Sequence, residues 1–376
     1  MRLGINGWRV HGRPTGVGRY VINTVRCWSR EFTQGTFDEI RFYSHQPLDR
    51  RVIPVPKWIE HKRLGPAMRM LFWENLRLGP AADEDVLFCP SYSRPRITRA
   101  KTVVTVYEAT LALYPQYFPR NHFFSVPEIY IPIYRWSAQN ATLVLTTTQA
   151  AKDDIIKAYG VPAERIRLAP LAPAPEFVPI RDQAALRSIR EKYFGADVPY
   201  FLFVGKLTPR RNVPMLMEAF ARIKDKHRLP HKLLVAGINS TGIDLAGHAK
   251  SLGITDHFLH TGYVPNEDLL LLYNASECFV LPYAYESNSM TTLEAQAVGV
   301  PVITTDVPGL RETTGGHALL LPAAEVEPLA EAMLRIAQDR ELHRELSESG
   351  PEFVKQFTWE RTARATLETL WEAANL

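Results

Sequence analysis

Two carboxylates separated by seven residues stand in a polar loop that leads into a helix. Glu286 and Glu294 belong to residues 284–302, where an apolar run ends and helical spacing begins near Ser289. A helix that starts beyond a strand offers free backbone N–H groups to a phosphate. A carboxylate can accept hydrogen bonds from two vicinal hydroxyls of a ribose or hexose. The alternative is a capping box between Thr291 and Glu294, with Glu286 in solvent.

A second candidate is the basic loop FVGKLTPRRN at residues 203–212. Gly205 ends an apolar run, and Lys206, Arg210 and Arg211 follow it before the next helical pattern. Cations on a strand-to-helix loop can clamp a diphosphate, and arginine can do so with two hydrogen bonds. A solvated basic loop is the alternative.

A third candidate is the glycine-containing loop GRPTGVGRY at residues 12–20, which follows the first apolar run. Gly16 and Gly18 would allow a ligand to approach the backbone closely. The pattern lacks the third glycine of a dinucleotide fingerprint and the acidic residue about 20 residues further on, which excludes NAD binding. Taken alone, it also fits an ordinary start of a helix.

Alternating apolar runs and helical patterns predict the elements that position these loops. We expect parallel sheets with helices on both faces. The predicted strands are 3–6, 40–43, 86–89, 102–106, 142–146, 166–168, 200–204, 232–236, 258–261, 278–281 and 300–304. The predicted helices are 17–31, 67–77, 122–138, 149–159, 212–227, 244–252, 265–274, 290–298 and 325–338. The candidate loops follow strands, where ligands of open α/β sheets bind.

Composition narrows the class of protein. The 376 residues are 46% hydrophobic and 22% charged, which excludes a disordered chain. Apolar runs fall short of the roughly 20 residues that cross a bilayer, and we see no secretion signal. Cys27, Cys89 and Cys278 form no CxxC, which excludes a disulfide scaffold or zinc knuckle and favours the cytosol.

The charge is asymmetric along the chain. Residues 1–175 carry a net +10 and residues 176–376 a net −6. A basic half fits an anionic acceptor or membrane, or solvated arginine-rich faces. Because no run of five basic residues occurs, we expect no nucleic-acid partner.

Glu286 and Glu294, followed by Ala295, Gly299 and Pro301, resemble the E-x7-E signature of retaining GT-B glycosyltransferases of the family 4 type. The resemblance implies that Glu286 lies at the donor sugar and that Glu294 binds the ribose. It assigns the sugar hydroxyls and the diphosphate to the backbone amides of Ser287, Asn288, Ser289, Met290 and Thr291. The family has Gly-Phe-Gly where this chain has Ser287-Asn288-Ser289, so we expect a left-handed asparagine to preserve the loop.

Further segments resemble the same family. The basic loop has Arg211 at the family's usual lysine position, residues 12–20 resemble its T-G-[IV]-G-R-Y loop, and Tyr263 and Val264 lie in the loop whose backbone reads the base. Residues 357–370 resemble its C-terminal helix, which crosses back to the first domain. Tyr107-Glu108 replace the family's His-Asp pair, and tyrosine is a poor base at pH 7. Glu108, His11 and His122 remain as substitutes.

The resemblance implies an α/β protein of the GT-B fold, with two Rossmann-like doubly wound domains that face each other across a cleft. We expect an acceptor domain at 1–170, a proline-rich linker at 171–185, a nucleotide-sugar domain at 186–356 and a returning helix at 357–376. The aromatic residues 122–136 fit an acceptor groove or a membrane interface, or else a core helix kinked at Pro127 and Pro132.

The function that this resemblance implies is transfer of a hexose, with retention, from a nucleotide diphosphate sugar to a polysaccharide or lipid-linked saccharide. UDP-hexose is the favoured donor, and Lys206 and Arg211 would stabilise the leaving diphosphate. We expect no metal site and no cofactor besides the donor. The expected location is cytoplasmic, with peripheral contact at an anionic membrane. The alternatives are a catalytically weak nucleotide-sugar-binding subunit of a polysaccharide assembly system and a sugar-nucleotide epimerase.

Overall fold

Parallel strands form two sheets, one in each of the two units into which the chain divides. The structure is a computed structural model that describes residues 1–11, 16–33, 35–51, 53–118 and 126–376. Unit 1 comprises Met1–Pro115, Arg120–Leu171 and Phe357–Leu376. Unit 2 comprises Gln116–Pro119 and Ala172–Gln356.

Unit 1 contains a seven-stranded parallel sheet. Its strands are β1 Arg2–Asn6, β2 Glu39–Ser44, β3 Glu60–Arg63, β4 Val86–Cys89, β5 Lys101–Thr105, β6 Leu143–Thr146 and β7 Ile166–Leu168. Their order in the sheet is β3-β2-β1-β4-β5-β6-β7. Its first helices are α1 Gly16–Cys27, α2 Arg30–Thr33, α3 Met70–Trp73, α4 Gly79–Ala81, α5 Thr110–Leu113, α6 Pro127–Asn140 and α7 Gln149–Tyr159. A π-helical turn, Glu74–Leu78, connects α3 to α4.

Unit 2 contains a six-stranded parallel sheet in the order β10-β9-β8-β11-β12-β13. Its strands are β8 Tyr200–Val204, β9 Lys232–Ala236, β10 Phe258–Gly262, β11 Cys278–Leu281, β12 Val302–Thr305 and β13 Leu319–Leu321. Its helices are α8 Gln183–Phe194, α9 Val213–His227, α10 Leu245–Ser251, α11 Asn266–Ala275, α12 Met290–Ala297, α13 Pro308–Thr314, α14 Val326–Gln338 and α15 Arg340–Val354. Across both units, short 3-10 turns occupy Trp8–Val10, Pro115–Tyr117, Ala163–Arg165, Pro209–Arg211 and Thr255–His257.

The final helix, α16 Trp359–Asn375, packs in unit 1. The hydroxyls of Tyr20 and Thr366 lie 3.0 Å apart, and Trp28 Nε1 donates to the Ala363 carbonyl at 3.1 Å. Tyr20 and Trp28 are both buried on α1 and the loop that follows it. The helix therefore completes the core of a unit whose strands lie far earlier in the sequence.

The central strands form where the sequence is continuously apolar. All residues of β8 and β11 are buried, as expected for parallel strands covered on both faces. Residues 169–182, between β7 and α8, form no regular element, and Phe177 among them packs into the core of unit 2. Helix α8 begins inside the predicted linker, residues 171–185. Among the described residues, no helix is both long and apolar enough to cross a membrane.

Candidate active site

The order of strands in unit 2 reverses between β8 and β11. From β8 the chain proceeds through β9 to β10 on one side, and from β11 it proceeds through β12 to β13 on the other. Loops at such a reversal diverge and leave space for a ligand beyond the carboxyl ends of the strands. The basic loop after β8 lies there. So does the loop after β11, residues 282–289, which contains Glu286 and is called the acidic loop below.

Hydrogen bonds join these two loops. The Arg210 carbonyl accepts from the Ala284 N–H at 2.8 Å, and Asn212 Nδ2 donates to the Pro282 carbonyl at 2.9 Å. Asn212 has a left-handed backbone with φ of 49°, a conformation that asparagine tolerates better than most residues. These hydrogen bonds hold the basic loop against the acidic loop.

A buried ion pair links the side chains of the two loops. An Nη1 atom of Arg210 lies 2.9 Å from Oε2 of Glu286 and donates to the Tyr285 carbonyl at 3.0 Å. Arg210 is 8% exposed and Glu286 is 5% exposed. The expectation that Arg210 clamps a diphosphate stays a prediction, but its guanidinium also orients and neutralises the Glu286 carboxylate. The alternative with a solvated Glu286 is wrong.

The other two cations of the basic loop have different surroundings. Lys206 is exposed, whereas Arg211 is half-buried with its guanidinium 5.1 Å from the centre of the Tyr283 ring. A Cβ at position 205 would lie 2.0 Å from Nη1 of Arg211, so Gly205 is required for this packing. The buried Nε of Arg211 has no hydrogen-bond partner within the described parts of the chain.

Helix α12 begins at Met290, as the sequence predicts, and the residue before it, Ser289, is its N-cap. Ser289 Oγ accepts from the Thr292 N–H at 3.3 Å, so Ser289 is the N-cap and the alternative capping box from Thr291 does not form. Glu294 is buried one turn into the helix, and the Tyr273 hydroxyl donates to it at 3.4 Å. This partner of Glu294 was not evident from the sequence.

The loop between Glu286 and α12 does not need the glycines that the family usually has there. None of Ser287, Asn288 and Ser289 has a positive φ, so the expected left-handed asparagine is wrong. It is the backbone of α13 that approaches this loop closely, because a Cβ on Gly309 would lie 2.3 Å from the Ser287 carbonyl carbon. The glycine that this loop requires is therefore on the neighbouring helix.

The predicted base-reading loop follows β10. Gly262 has φ of +67° and accepts from the Gly237 N–H at 2.7 Å. Tyr263 is 58% exposed, and Val264 is buried in the core of unit 2. Both residues lie at the same edge of the sheet as the basic loop, because all six strands are parallel.

The remaining predicted site residues belong to unit 1. The buried Tyr107 donates to the Pro90 carbonyl at 2.9 Å, and burial holds the pKa of its hydroxyl well above the usual value. Glu108 accepts from the Thr110 hydroxyl at 2.7 Å. A neutral, hydrogen-bonded Tyr107 cannot act as a general base at pH 7.

The structure describes only part of the glycine-containing loop and only one of the two candidate histidines. Gly16 and Gly18 lie in the first turn of α1, whereas residues 12–15 and His122 lie outside the described residues. Burial, followed by the charges of His45 and His61, lowers the pKa of His11 to about 4. A metal-binding set of three His, Cys, Asp or Glu side chains is absent from the residues that the structure describes.

Comparisons with known proteins agree with this geometry. A family model described as "Glycosyl transferases group 1" matches residues 187–353. The O-antigen chain mannosyltransferase B of Escherichia coli is 29% identical over 280 residues, which are 74% of this chain and 72% of that protein. The mannosylfructose-phosphate synthase of Agrobacterium fabrum is 29% identical over 242 residues, 61% of this chain, and the match spans only 52% of that synthase.

A similar fold is found among solved structures. The Anabaena protein HepE, crystallised in complex with UDP and glucose, superposes with a TM-score of 0.74 over 98% of both chains at 15% identity. At this identity the likeness establishes the fold alone. The predicted GT-B fold and the predicted family resemblance are both confirmed.

Proposed function

We propose that this GT-B chain, whose residues 187–353 match the family model of the group 1 glycosyl transferases, moves a hexose from a nucleotide diphosphate sugar to a saccharide acceptor. We further propose UDP-hexose as the donor, retention at the anomeric carbon and no requirement for a metal ion. The matched residues include the basic loop, the base-reading loop and the acidic loop described above.

The observation that carries this proposal is the buried Arg210–Glu286 pair at the strand reversal. A carboxylate paired with a buried guanidinium can accept hydrogen bonds from sugar hydroxyls and can stabilise positive charge developing at C1. The pair joins the two loops between which the donor would lie, which supports a sugar-facing role for this carboxylate.

The cations beside this pair suit a diphosphate leaving group. Arg211 offers an Nε–H that no described residue accepts, and Lys206 is exposed beside it. Negative charge grows on the diphosphate as the C1–O bond breaks, so positive groups already in place act mainly on the transition state. The N-terminus of α12 adds partial positive charge at the same edge of the sheet.

The proposed reaction needs no protein base. The C1–O bond to the diphosphate breaks with its electron pair on the phosphate oxygen, and the acceptor oxygen bonds to C1 on the same face. The acceptor's proton passes to the departing phosphate oxygen. A permanently protonated Tyr107 in place of a histidine is compatible with this route.

Two comparisons support the choice of substrates. HepE was crystallised with UDP and glucose, and the E. coli relative is an O-antigen chain mannosyltransferase. We therefore propose as donor UDP-glucose, or the same nucleotide carrying mannose instead of glucose. The proposed acceptor is a growing saccharide. We also propose a cytoplasmic location, with membrane contact through the net positive charge of residues 1–175.

The test is a thermal-shift panel of UDP, GDP, ADP and dTDP, each free and as the diphosphate hexose, with EDTA present. A hundredfold excess over Kd adds about 2.7 kcal/mol to the stability of the binding unit. One base should give a clear shift, and its sugar conjugate should release free nucleotide slowly in water. No shift with any nucleotide would contradict the proposal.

Variants then distinguish the alternatives. Lys206→Ala with Arg211→Ala should lower turnover by about a hundredfold or more, while the nucleotide shift shrinks less, because the lost interaction is strongest in the transition state. A non-catalytic subunit would bind the donor without hydrolysing it. An epimerase would convert the donor's sugar without releasing nucleotide.

A further inference from the structure

A pocket of about 1090 Å³ lies in unit 1, lined by residues that follow β1, β2 and β3 and by part of the aromatic segment 122–136. Its walls come from the segments that follow β1, β2 and β3, together with α6. It therefore lies at the carboxyl edge of the unit 1 sheet, where open α/β sheets bind ligands. Its volume exceeds the roughly 300–1,000 Å³ that is typical of a small-molecule site.

The rim of this pocket is apolar and exposed. Phe72 and Leu76, four residues apart on consecutive helical turns, are each 60% exposed, and Ile129 on α6 is 39% exposed. Large apolar side chains grouped in this way around a concavity mark a binding site. A free saccharide would leave these three side chains without a partner, whereas a hydrocarbon chain would cover them.

The interior is aromatic and positively charged. The rings of Trp8, Tyr130 and Tyr134 line it, together with the guanidinium groups of Arg9 and Arg69. None of the described lining residues is acidic. Aromatic faces suit the C–H face of a sugar ring, and guanidinium groups suit a phosphate.

A buried hydrogen-bond network fixes this wall in advance. Glu74, in the π-helical turn beneath the rim, accepts from Asn6 Nδ2 at 2.9 Å and from Ser93 Oγ at 2.8 Å. The Trp8 N–H donates to Asn6 Oδ1 at 3.1 Å, and its indole Nε1 donates to the Met68 carbonyl at 3.1 Å. The positions of the aromatic wall and of the rim helix are therefore coupled through hydrogen bonds.

We propose that this pocket binds the acceptor as a saccharide joined through a phosphate group to a hydrocarbon chain. The chain lies on Phe72, Leu76 and Ile129, the phosphate on Arg9 and Arg69, and the first sugar ring against the aromatic wall. This inference rests on the proposed glycosyl transfer and names the chemical class of its acceptor. A bilayer surface does not fit this pocket, because a flat surface would not reach the aromatic interior.

The experiment measures binding of farnesyl phosphomannose to the full chain by calorimetry, below the concentration at which this amphiphile forms micelles. Mannose 1-phosphate and farnesyl phosphate serve as its two halves. The whole amphiphile should bind at least about tenfold more tightly than either half, because only it occupies the rim and the interior together.

A double variant tests the rim. Phe72→Ser with Leu76→Ser should weaken binding of the amphiphile at least about tenfold and leave mannose 1-phosphate unaffected. Ile97→Ser is the matched control, because Ile97 is an 81% exposed apolar residue of unit 1 outside the pocket. Both sites are exposed, so the variants should fold.

Three results would overturn the proposal: equal affinity for the amphiphile and mannose 1-phosphate, no effect of the rim variant, or a rim variant that loses only its binding to phosphatidylglycerol vesicles. The nucleotide thermal shift is measured on the same samples. A normal shift without amphiphile binding refutes the acceptor class alone, whereas amphiphile binding without any shift refutes the proposed transfer reaction.

Discussion

Arg210 and Glu286 show how a pair of opposite charges can be both a structural joint and part of a binding site. Each is buried in unit 2, and each belongs to a loop that follows a different strand. Burying either charge alone would be costly, so the pair forces the two loops to stay together. In the proposed reaction the same contact would orient the carboxylate toward the donor sugar.

Arg210→Met should destabilise unit 2 by about 3–5 kcal/mol, because Glu286 would remain buried without its partner. Arg210→Met with Glu286→Leu should recover most of this stability, since no charge is then left unpaired, yet transfer activity should stay lost. Urea unfolding and a transfer assay separate the two effects.

Arg187→Met is the control for that prediction. Arg187 is largely exposed and lies 3.1 Å from Asp197, so its loss should cost at most about 1 kcal/mol. If Arg210→Met were equally mild, or if the double variant were active, the role assigned to the pair would be wrong.

Glu74 predicts a pH dependence of unit 1. Burial raises the pKa of its carboxyl from 4.5 to about 7, against smaller lowering by its hydrogen bonds to Ser93 and Asn6. Between these values the folded chain keeps the proton and the unfolded chain has lost it, so stability falls as pH rises. The loss is complete above pH 7 and amounts to a few kcal/mol.

Glu74→Gln should remove this dependence, because the amide oxygen can accept from Asn6 Nδ2, the amide nitrogen can donate to Ser93 Oγ, and the amide does not titrate. Urea unfolding of unit 1 between pH 4.5 and 8 measures it, with the exposed Glu164→Gln as the matched control. Parallel curves for the wild type and Glu74→Gln would show that Glu74 is ionised in the fold throughout.

Sequence reasoning found the two loops but not how their side chains pair. Both loops follow continuous apolar runs, so their place at the sheet edge was predictable from periodicity. Arg210 and Arg211 are adjacent cations, and nothing in their spacing tells which one turns toward Glu286. That choice depends on the turn Pro209–Arg211 and on Asn212, which only the folded loop reveals.

At the scale of elements, the strongly apolar strands were predicted well, whereas β3 and β13 were missed. The bounds of β8, β9 and β11 agree with the prediction. Strand β3 has the sequence EHKR and lies at a sheet edge, where no apolar run is required, and β13 has only three residues. These elements form because neighbouring strands offer hydrogen bonds.

Several helices were missed or divided differently for local reasons. The missed helices are the short α4 and α5, then α8, which begins in the predicted linker, α13 and α15. Helix α15 continues through Gly350 and Pro351, which read as a break in the sequence. The predicted helix 17–31 is two helices. Of the predicted helix 122–138, the structure describes residue 126 onward, and α6 begins at Pro127 and continues through Pro132.

The cap of α12 separates helix stability from donor binding. Ser289→Ala should cost about 1 kcal/mol, because the Thr292 N–H loses its acceptor. Ser289→Asp should preserve the cap but weaken UDP binding about tenfold or more, because it places a negative charge where the proposal puts the diphosphate.

The matched control for the cap is Asp182→Ala at the start of α8, whose carboxylate accepts from the Ala184 and Ala185 N–H groups. It should cost similar stability and leave the Kd for UDP unchanged. Unaltered UDP affinity in Ser289→Asp would contradict the assignment of the diphosphate to this helix end.

At the scale of the whole molecule, each unit has its own sheet and core, but their sequence segments are interleaved. Removal of residues 357–376 should destabilise unit 1, because Tyr20 and Trp28 lose their covering helix and their hydrogen bonds. All the residues assigned to nucleotide binding in unit 2 would remain. Such a chain should keep its UDP thermal shift, while the unfolding of unit 1 moves to lower urea concentration.

Thr148→Ala is a milder control for that deletion, because it removes one helix cap of unit 1 and should shift its unfolding only slightly. A truncated chain that unfolds like the intact one would show that α16 contributes little to unit 1. Loss of the UDP shift would show instead that unit 2 depends on it.

Because α16 returns to unit 1, the core of unit 1 can be completed only late in synthesis of the chain. A ribosome completes the strands of unit 1, then the whole of unit 2, and only afterwards the helix that covers Tyr20 and Trp28. The nascent unit 1 thus keeps an apolar groove exposed to water while Ala172–Gln356 of unit 2 are translated. At about 5–20 residues per second this delay lasts many seconds, so chaperones that shield apolar surface should engage this chain before α16 emerges.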